Sequence, residues 1–333
     1  MRSLGPGVAL AEVTRRVRHS GAEPVESLHT GHLVVADADG TVRTGLGDRH
    51  VPVFVRSAVK PLQVAAGLEL LADAGVAPPT PPELAVASAS HCGEPRQLDA
   101  VRALLERAGI GPDQLTCPPA APTADPGAVP TRLQHNCSGK HAMFALAGGT
   151  LGLSGPALLD PDGPLQRRVL ATLAAELGDL SGVGVDGCGA PAVVAPLSAL
   201  AAAFARLVGE SRFAPVRDAV LTHPGLVGCA GRLETALLGA GVVAKPGAEG
   251  VYGVGWRDAA GVPHGLAVKA SDGSGRGVAA ALNTLLEDIE VVAPGTWSPP
   301  PPLGGGDPVG VVRATAAVRD LGQQSALRGV APG

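Results

Sequence analysis

Aromatic residues and positive charge are both scarce in this chain. Phe, Trp and Tyr together make up 2% of its 333 residues, and the formal net charge is -4. Few aromatic rings leave no stacking platform for single-stranded nucleic acid, and an acidic balance offers no basic field to nucleic acid or an anionic membrane. We therefore expect no nucleic-acid or membrane partner. With 45% hydrophobic and 17% charged residues, the chain is expected to fold around a buried core.

Long apolar runs and regular cysteine patterns are also missing. Gly, Pro or a charged residue interrupts every stretch that could approach the run of about 20 apolar residues needed by a membrane helix. Residues 1–22 lack the succession of basic, apolar and small residues of a signal peptide, so none is expected. The five cysteines are odd in number and contain no CxxC pair, which argues against a secreted disulfide framework. The sequence predicts a soluble, cytoplasmic protein.

Lysine is rare. Of the 26 basic residues only four are lysines: Lys60, Lys140, Lys245 and Lys269. Arginine stays charged near neutral pH, whereas a desolvated lysine can lose its proton and act as a base or a ligand. A lysine retained in so arginine-rich a chain indicates a need for an amine. The alternative is that the four are ordinary surface residues.

Strand-like runs cluster at both ends of the chain, with helices between them. The predicted strands are 28–36 and 41–46, joined by a turn at 37–40, then 51–55, 251–256, 265–269 and 309–318. The predicted helices are 57–74, 97–108, 139–147, 165–177, 192–208, 214–221 and 277–289.

This order predicts an α/β fold: a mixed sheet whose first and last strands pair, sandwiched by helices. We expect a single domain over residues 1–321, with a helical subdomain over about 95–225, and a flexible tail over 322–333.

The sharpest local motif is Arg56-Ser57-Ala58-Val59-Lys60-Pro61. Ser57 and Lys60 are three positions apart in the first turn of a predicted helix, so both side chains emerge on one face. The positive end of the helix disfavours the ammonium form of Lys60, which makes it a base for the Ser57 hydroxyl. Alternatively, Ser57 is a helix N-cap and Lys60 lies on a solvated face.

A serine nucleophile of this S-x-x-K type is often accompanied by a K-[ST]-G strand late in the chain. Lys269 ends a strand-like run and is followed by Ala270-Ser271-Asp272-Gly273, a loosened form of that pattern. Lys245-Pro246-Gly247 is the second candidate, although Pro246 replaces the hydroxyl residue. The alternative for each is a surface lysine at a strand end or in a turn.

Hydroxyl, imidazole, thiol and carboxylate groups follow one another in Ser90-His91-Cys92-Gly93-Glu94. The apolar run 84–89 precedes them, which indicates a strand-to-loop transition opening on a site. The alternative is an ordinary polar loop. His91 and Cys92 are metal-ligand types, but adjacent side chains point apart in an extended chain.

A second group of ligand types lies in His135-Asn136-Cys137-Ser138-Gly139-Lys140-His141 and in Asp186-Gly187-Cys188. Zinc normally takes cysteine and histidine ligands, so residue type nominates Cys137, Cys188 and either His135 or His141. Lys140 is an unusual ligand, available only as the neutral amine. The alternative is a pair of buried structural cysteines.

Together these segments resemble the class 3, or rhizobial-type, L-asparaginases over about residues 25–290. The run Asn136-Cys-Ser-Gly-Lys-His141 is the most specific element. The other matching stretches are Arg56–Pro61, Ala89–His91 with Glu94, Asp186–Cys188, His223-Pro224, Lys245–Gly250 and Val268-Lys269 with Asp272-Gly273.

The resemblance implies a fold similar to serine β-lactamases and serine-type glutaminases, a homodimer, and two Ser–Lys pairs. Carried over, the catalytic pairs are Ser57 with Lys60 and Ser90 with Lys269. It also implies a zinc held by Cys137, Lys140 and Cys188, supportive rather than essential. The residues expected to bind the substrate, L-asparagine, are Arg56, His91, Asp186 and Lys245.

The expected reaction is hydrolysis of the asparagine side-chain amide through an acyl-enzyme. Lys60, kept neutral by the helix terminus and by the ammonium of Lys269, takes the proton of Ser57, which attacks the carboxamide. In one departure from the family, Val251 stands where rhizobial members carry a further cysteine. The alternatives are a glutaminase or another Ser–Lys amidase on the same fold, and a non-catalytic zinc or thiol sensor.

Overall fold

The computed structural model describes residues 4–324 and Leu327. Its strands are β1 (Val8–Thr14), β2 (Val25–Asp37), β3 (Val42–Leu46), β4 (Pro52–Phe54), β5 (Gly182–Val185), β6 (Pro191–Pro196), β7 (Val243–Gly247), β8 (Val251–Arg257), β9 (Pro263–Ala270), β10 (Leu303–Gly304), β11 (Asp307–Pro308) and β12 (Val312–Ala314).

The helices are α1 (Lys60–Asp73), α2 (Pro81–Ala87), α3 (Pro95–Ala108), α4 (Ser138–Gly149), α5 (Pro164–Leu177), α6 (Leu197–Gly209), α7 (Ala214–Thr222), α8 (Pro224–Val227), α9 (Leu233–Gly239), α10 (Gly275–Asp288) and α11 (Ala316–Gly322). Short 3-10 turns occupy Arg56–Val59, Pro112–Gln114, Gly155–Leu158 and Ser211–Phe213. Of the helices in the described residues, none is long and apolar enough to cross a membrane.

The chain divides into two compact units, and the first contains the large sheet. This unit comprises the residues up to Val53, Ala195–Gly209 and the residues from Ala240 onward. The strand order is β12-β1-β2-β9-β8-β7, with β3 also paired to β2. Helix α6 packs on β2, β8 and β9, and α10 packs on β1, β9 and β12. The predicted α/β class, with a sheet flanked by helices, is confirmed.

Pairing within this sheet is antiparallel in the registers that the described residues show. The predicted hairpin is confirmed as β2 and β3, and strands 251–256 and 265–269 are confirmed as β8 and β9. The first and last strands do pair, β1 with β12, although β1 was not among the predicted strands. In the register of β8 with β9, Val251 lies directly opposite Lys269.

The second unit comprises Phe54–Val194 and Glu210–Gly239 and is mainly helical. Helix α2 packs against α3, α4, α7 and α8. Its contact with α4 is close enough to need glycine, because a Cβ at Gly139 would overlap the carbonyl oxygen of Val86. This approach brings the start of α4 beside the chain that leaves α2.

The prediction of a strand-like run at 84–89 was wrong, because these residues belong to α2 and the turn after it. Thr80 and Glu83 form a capping box, with the Thr80 N–H donating to Glu83 Oε2 at 2.6 Å. Pro81 occupies the first helical position, where proline is favoured. A short apolar run does not distinguish a strand from a buried helix, and the cap decides it here.

Three further boundaries differ from prediction. The predicted helix 192–208 begins with strand β6, because Val193 and Val194 pair with β5, and only then becomes α6. The predicted helix at 57–74 begins with a 3-10 turn, and α1 starts at Lys60. The predicted strand 309–318 is limited to β12, followed by α11.

The single domain over 1–321 with its helical subdomain stays a prediction. The tail predicted over 322–333 lies mostly outside the described residues.

Candidate active site

All four lysines are buried. The exposed fraction is 1% for Lys60, 2% for Lys140, 1% for Lys245 and 8% for Lys269. Lysine is almost never fully buried unless it is paired, because desolvating an ammonium is costly. The alternative of ordinary surface lysines is therefore wrong, because each of the four is enclosed by the protein.

Lys60 lies at the start of α1 and points at the chain that leaves α2. Its Nζ donates to the Ala89 carbonyl at 2.5 Å and to Ser90 Oγ at 3.2 Å. Ser57 is half-buried in the preceding 3-10 turn, and its carbonyl accepts the Lys60 backbone N–H. In the described part of the chain, no hydrogen bond joins Lys60 Nζ to Ser57. The structure therefore brings Lys60 into contact with Ser90. Ser57 and Lys60 remain neighbours along the chain, joined by the backbone bond alone.

The turn that presents Ser57 is held in an unusual backbone conformation. Arg56 has a φ of 49°, in the left-handed region that non-glycine residues rarely adopt. Its guanidinium pairs with Asp186, at 3.0 Å from Nε and 2.9 Å from the terminal nitrogen. Asp186 Oδ1 also accepts the Gly187 N–H at 2.7 Å. Strain of this kind persists only where the surroundings hold it, and it concentrates at functional sites.

Ser90 is fixed by backbone hydrogen bonds on both sides. Its N–H donates to the Val227 carbonyl at 3.2 Å, and the His91 N–H donates to the Asn136 carbonyl at 3.2 Å. The second bond depends on the close approach of α4 to α2 at Gly139. Segments that are remote in sequence thus meet at one serine.

His91 is buried, with an exposed fraction of 1%, and both of its ring nitrogens have protein partners. The Gly93 N–H donates to Nδ1 at 3.2 Å, so the proton of the neutral ring is assigned to Nε2, which lies 2.8 Å from Ser138 Oγ. Burial, together with the positive charge of Lys60, lowers the pKa of His91 to about 3. Its predicted role in substrate binding stays a prediction.

The predicted ligand group converges in the second unit. Lys140 Nζ lies 3.2 Å from Cys188 Sγ, and Cys188 and Cys137 share a side-chain hydrogen bond. That bond holds the pKa of Cys137 well below its usual value and raises the pKa of Cys188. Burial opposes the charge on Lys140, but the neighbouring sulfurs of Cys188 and Cys137 leave its pKa raised.

These donors suit zinc, which takes thiolates and nitrogen ligands in a tetrahedral shell. Among the described residues, no three His, Cys, Asp or Glu side chains lie together as a metal site, so the lysine is needed to complete a triad. The two histidines nominated by residue type are placed differently. His135 Nδ1 accepts the Cys137 N–H at 3.0 Å, and His141 Nδ1 contacts Thr116 Oγ1 at 2.6 Å. The zinc itself stays a prediction.

The two late lysines lie in the first unit. Lys269 Nζ donates to the Glu249 carbonyl at 2.6 Å and to the Ala270 carbonyl. Burial lowers the pKa of Lys269, although the charges of Glu249 and Asp272 oppose the shift. Lys245 Nζ donates to the Pro246 carbonyl at 2.9 Å. The predicted pairing of Lys269 with Ser90 stays a prediction.

Sequence reasoning missed two features beside Ser90. Cys92 and Cys229, separated by 137 residues, form a disulfide with a Cα–Cα distance of 5.7 Å. Gln97 is fully buried and bonds to both sequence segments that carry these cysteines. No local pattern marks such a pairing, because the cysteine spacing matches no motif and glutamine has no signature of its own.

The comparisons with known proteins identify the family. The family described as L-asparaginase II matches residues 16–314, most of the chain. No curated protein matches the chain. The crystal structure of Mglu in its native form is 17% identical, with a TM-score of 0.36, and the match covers 78% of this chain and 64% of that one. For Mglu in its glutamate form the values are 18%, 0.34, 78% and 60%. The chain therefore spans less than two thirds of the length of Mglu.

The family match includes the 3-10 turn that carries Ser57, the residues around Ser90 and the segments that carry all four lysines. The chain belongs to the L-asparaginase II family.

Proposed function

We propose that the protein hydrolyses the side-chain amide of L-asparagine to L-aspartate and ammonia, with Ser57 as the nucleophile. The observation that carries this proposal is the buried amine of Lys60, which follows Ser57 by one 3-10 turn and contacts the hydroxyl of Ser90. A buried amine in contact with one serine hydroxyl and next along the helix to another is suited to proton transfer to and from a serine. Family membership supports the amide as the bond that is cleaved.

In the first step, Ser57 Oγ attacks the carboxamide carbon while its proton passes to Lys60. The developing oxyanion is expected to bind backbone N–H groups. Lys60 then returns the proton, through Ser90 Oγ at 3.2 Å, to the amide nitrogen. The carbon–nitrogen bond breaks, ammonia leaves, and Ser57 is left as an ester. The Lys60-to-Ser57 contact need not be formed without substrate, because catalytic hydrogen bonds often tighten only in the complex.

In the second step, water attacks the ester carbon. Lys60 accepts a proton from the water and returns it to Ser57 Oγ as the ester bond breaks. Aspartate is released and the serine is regenerated. No oxidant or other co-reactant is needed.

The ion pair between Arg56 and Asp186 matches the other end of asparagine. An α-amino acid carries one carboxylate and one ammonium, and a guanidinium beside a carboxylate offers each a partner of opposite charge. Both side chains are partly accessible, with exposed fractions of 24% and 14%. We expect the substrate to bind at this pair, next to Ser57.

Zinc is proposed at Cys137, Lys140 and Cys188. A bound zinc would supply a fixed positive charge and hold the two cysteines together. The test is zinc content after dialysis of the wild-type chain and of Cys188→Ser. Equal retention by both would contradict the assignment. The family resemblance also supports a homodimer and a role for Lys269 in the base network. These, and the cytoplasmic location expected from the sequence, stay predictions.

The test of function is ammonia release from L-asparagine and L-glutamine by the wild-type chain, Ser57→Ala and Ser90→Ala. We expect turnover of asparagine, none in Ser57→Ala and a strongly reduced rate in Ser90→Ala. Loss in Ser90→Ala alone would make Ser90 the nucleophile. Asparagine and glutamine differ by one methylene, which changes binding by only about 1–3 kcal/mol, so both amides are measured. Faster ammonia release from glutamine would identify a glutaminase. No release from either amide would refute the proposal.

A further inference from the structure

The loop that carries Ser90, residues 88–94, is attached to a single neighbouring segment, residues 224–229, in three ways. The first is the backbone bond from the Ser90 N–H to the Val227 carbonyl at 3.2 Å. The second is the Cys92–Cys229 disulfide, and the third is the side chain of Gln97. The Ser90 loop lies outside the helices and strands after Ala87, so these attachments, together with the bonds of His91 to Asn136 and Ser138, hold it in position.

Gln97 uses all four hydrogen-bonding positions of its side-chain amide. Its Oε1 accepts the Cys92 N–H at 2.9 Å and the Glu94 N–H at 3.0 Å. Its Nε2 donates to the Gly225 and Gly228 carbonyls, both at 3.0 Å. The side chain is fully buried. A carboxylate could not donate these bonds, so a neutral amide is required.

The disulfide is the covalent part of the same attachment. Cys92 is buried, two residues after Ser90, and Cys229 is two residues after Val227, whose carbonyl holds the Ser90 N–H. Cys229 is half-exposed, whereas Cys117, Cys137 and Cys188 are buried. Cys229 is therefore the more accessible end of this bond.

Neither Gln97 nor the disulfide reaches Lys60, yet both control the hydroxyl that Lys60 contacts. The Lys60 Nζ to Ser90 Oγ distance is 3.2 Å. A misplacement of about 1 Å at a reacting group can lower a rate about 100-fold. The Ser90 loop is thus a place where distant bonds act on proton transfer.

We propose that Gln97 and the Cys92–Cys229 disulfide form a two-part clamp that positions Ser90 against Lys60, so that reducing the disulfide slows catalysis in the folded protein. The clamp rests on the proposed function of Ser90 and Lys60. Gln97 is a positioning residue, because it acts through the backbone of the Ser90 loop.

The test measures kcat and KM for asparagine in the full chain before and after reduction. A water-soluble trialkylphosphine is used, since dithiols also bind zinc. It reduces the disulfide to two thiols and takes the oxygen of one water molecule as it becomes the phosphine oxide. We expect kcat to fall about tenfold with KM unchanged, because the contact between Ser90 and Lys60 is disturbed while Arg56 and Asp186 are not. Reoxidation should restore kcat.

Variants separate positioning from general damage. Gln97→Met keeps the buried volume and removes the four hydrogen bonds, and we expect it to lower kcat about tenfold. The two parts of the clamp support each other, so reduction should lower kcat more in Gln97→Met than in the wild-type chain. The matched controls are Gln166→Met, at another fully buried glutamine that donates to the Leu158 carbonyl, and Cys117→Ser. Both should keep the wild-type kcat and its response to reduction.

Thiol counting first establishes that reduction has produced two new thiols. If kcat is then unchanged, the proposal is overturned. The proposal is also overturned if the phosphine lowers kcat equally in the double variant Cys92→Ser/Cys229→Ser, which has no disulfide to reduce. If the oxidised wild-type chain hydrolyses no amide, the proposed function has failed, and amide hydrogen exchange then tests the clamp. Faster exchange in residues 88–94 after reduction supports it, and unchanged exchange refutes it.

Discussion

The buried ring of His91 makes the stability of this protein depend on pH in a specific window. Burial and the charge of Lys60 lower the pKa of His91 from 6.5 to about 3. The unfolded chain therefore binds a proton that the folded chain does not, and the free energy of unfolding rises with pH between these values. The stabilisation is present above pH 6.5 and is lost as the pH falls towards 3.

The size of the effect follows from the same two pKa values. Each tenfold difference in proton affinity is worth about 1.4 kcal/mol, so the full difference approaches about 5 kcal/mol at pH 3. Over the accessible range from pH 6.5 to pH 5 it amounts to about 2 kcal/mol. The geometry agrees, because a protonated Nδ1 would face the Gly93 N–H that now donates to it.

The perturbation is His91→Gln, whose amide can still donate to Ser138 but does not take up a proton. Urea unfolding is measured at several pH values between 5 and 7.5 for the wild-type chain, His91→Gln and the exposed control His19→Gln. We expect His91→Gln to lose a slope that is small at pH 7.5 and approaches about 1.4 kcal/mol per pH unit near pH 5. Parallel curves would show that His91 is not a buried neutral ring. A rise in KM without a change in slope would instead assign His91 to the substrate.

Three further predictions concern the elements that hold the site. Lys60→Met fills the same buried space without an amine, and we expect kcat to fall about 100- to 10,000-fold in the ammonia assay while the melting temperature shows a folded protein. Arg56→Ala and Arg56→Gly both lose the ion pair with Asp186, but glycine tolerates the φ of 49°, so urea unfolding should find Arg56→Gly more stable by about 1 kcal/mol. Gly139→Ala should destabilise the protein by about 1–3 kcal/mol in the same assay, because the added methyl group meets the Val86 carbonyl. Gly149→Ala in the same helix is its control and should be neutral or stabilising, since nothing lies within 4 Å of the added group.

Each of these has a clear contrary outcome. Near-normal turnover by Lys60→Met would remove the amine from the mechanism. Equal stability of the two Arg56 variants would mean that the backbone there is not strained, and equal effects at the two glycines would mean that α4 does not need its close approach to α2.

The elements that could be predicted are those with strong local signals. The hairpin of β2 and β3 shows a turn between two apolar runs, and α3 and α10 show apolar residues at helical spacing. The helix α2 was missed because an apolar run of this length suits either a strand or a helix, and only its capping box distinguishes them. Strand β6 was missed because its alanines and valines merge with the start of α6.

The candidate site divides in the same way. The scarcity of lysine pointed to all four buried amines, and the resemblance to a family placed Cys137, Lys140 and Cys188 together before any distance was known. The partner of Lys60 could not be predicted, because the nearest hydroxyl in sequence is that of Ser57 and the one in contact belongs to Ser90. Arg56 and Asp186 were both expected at the substrate, and their ion pair with each other is a tertiary contact.

By itself, the sequence determined the local periodicity of most elements, the class of chemistry available and the residues that could carry it. These depend on residue type and on spacing of a few positions, where chain geometry is nearly constant. Only the tertiary structure decided which hydroxyl faces Lys60, which cysteines join and which glutamine holds the Ser90 loop. Those outcomes depend on burial and on distances between segments up to 137 residues apart, and the free energy of such contacts exists only once the chain has packed.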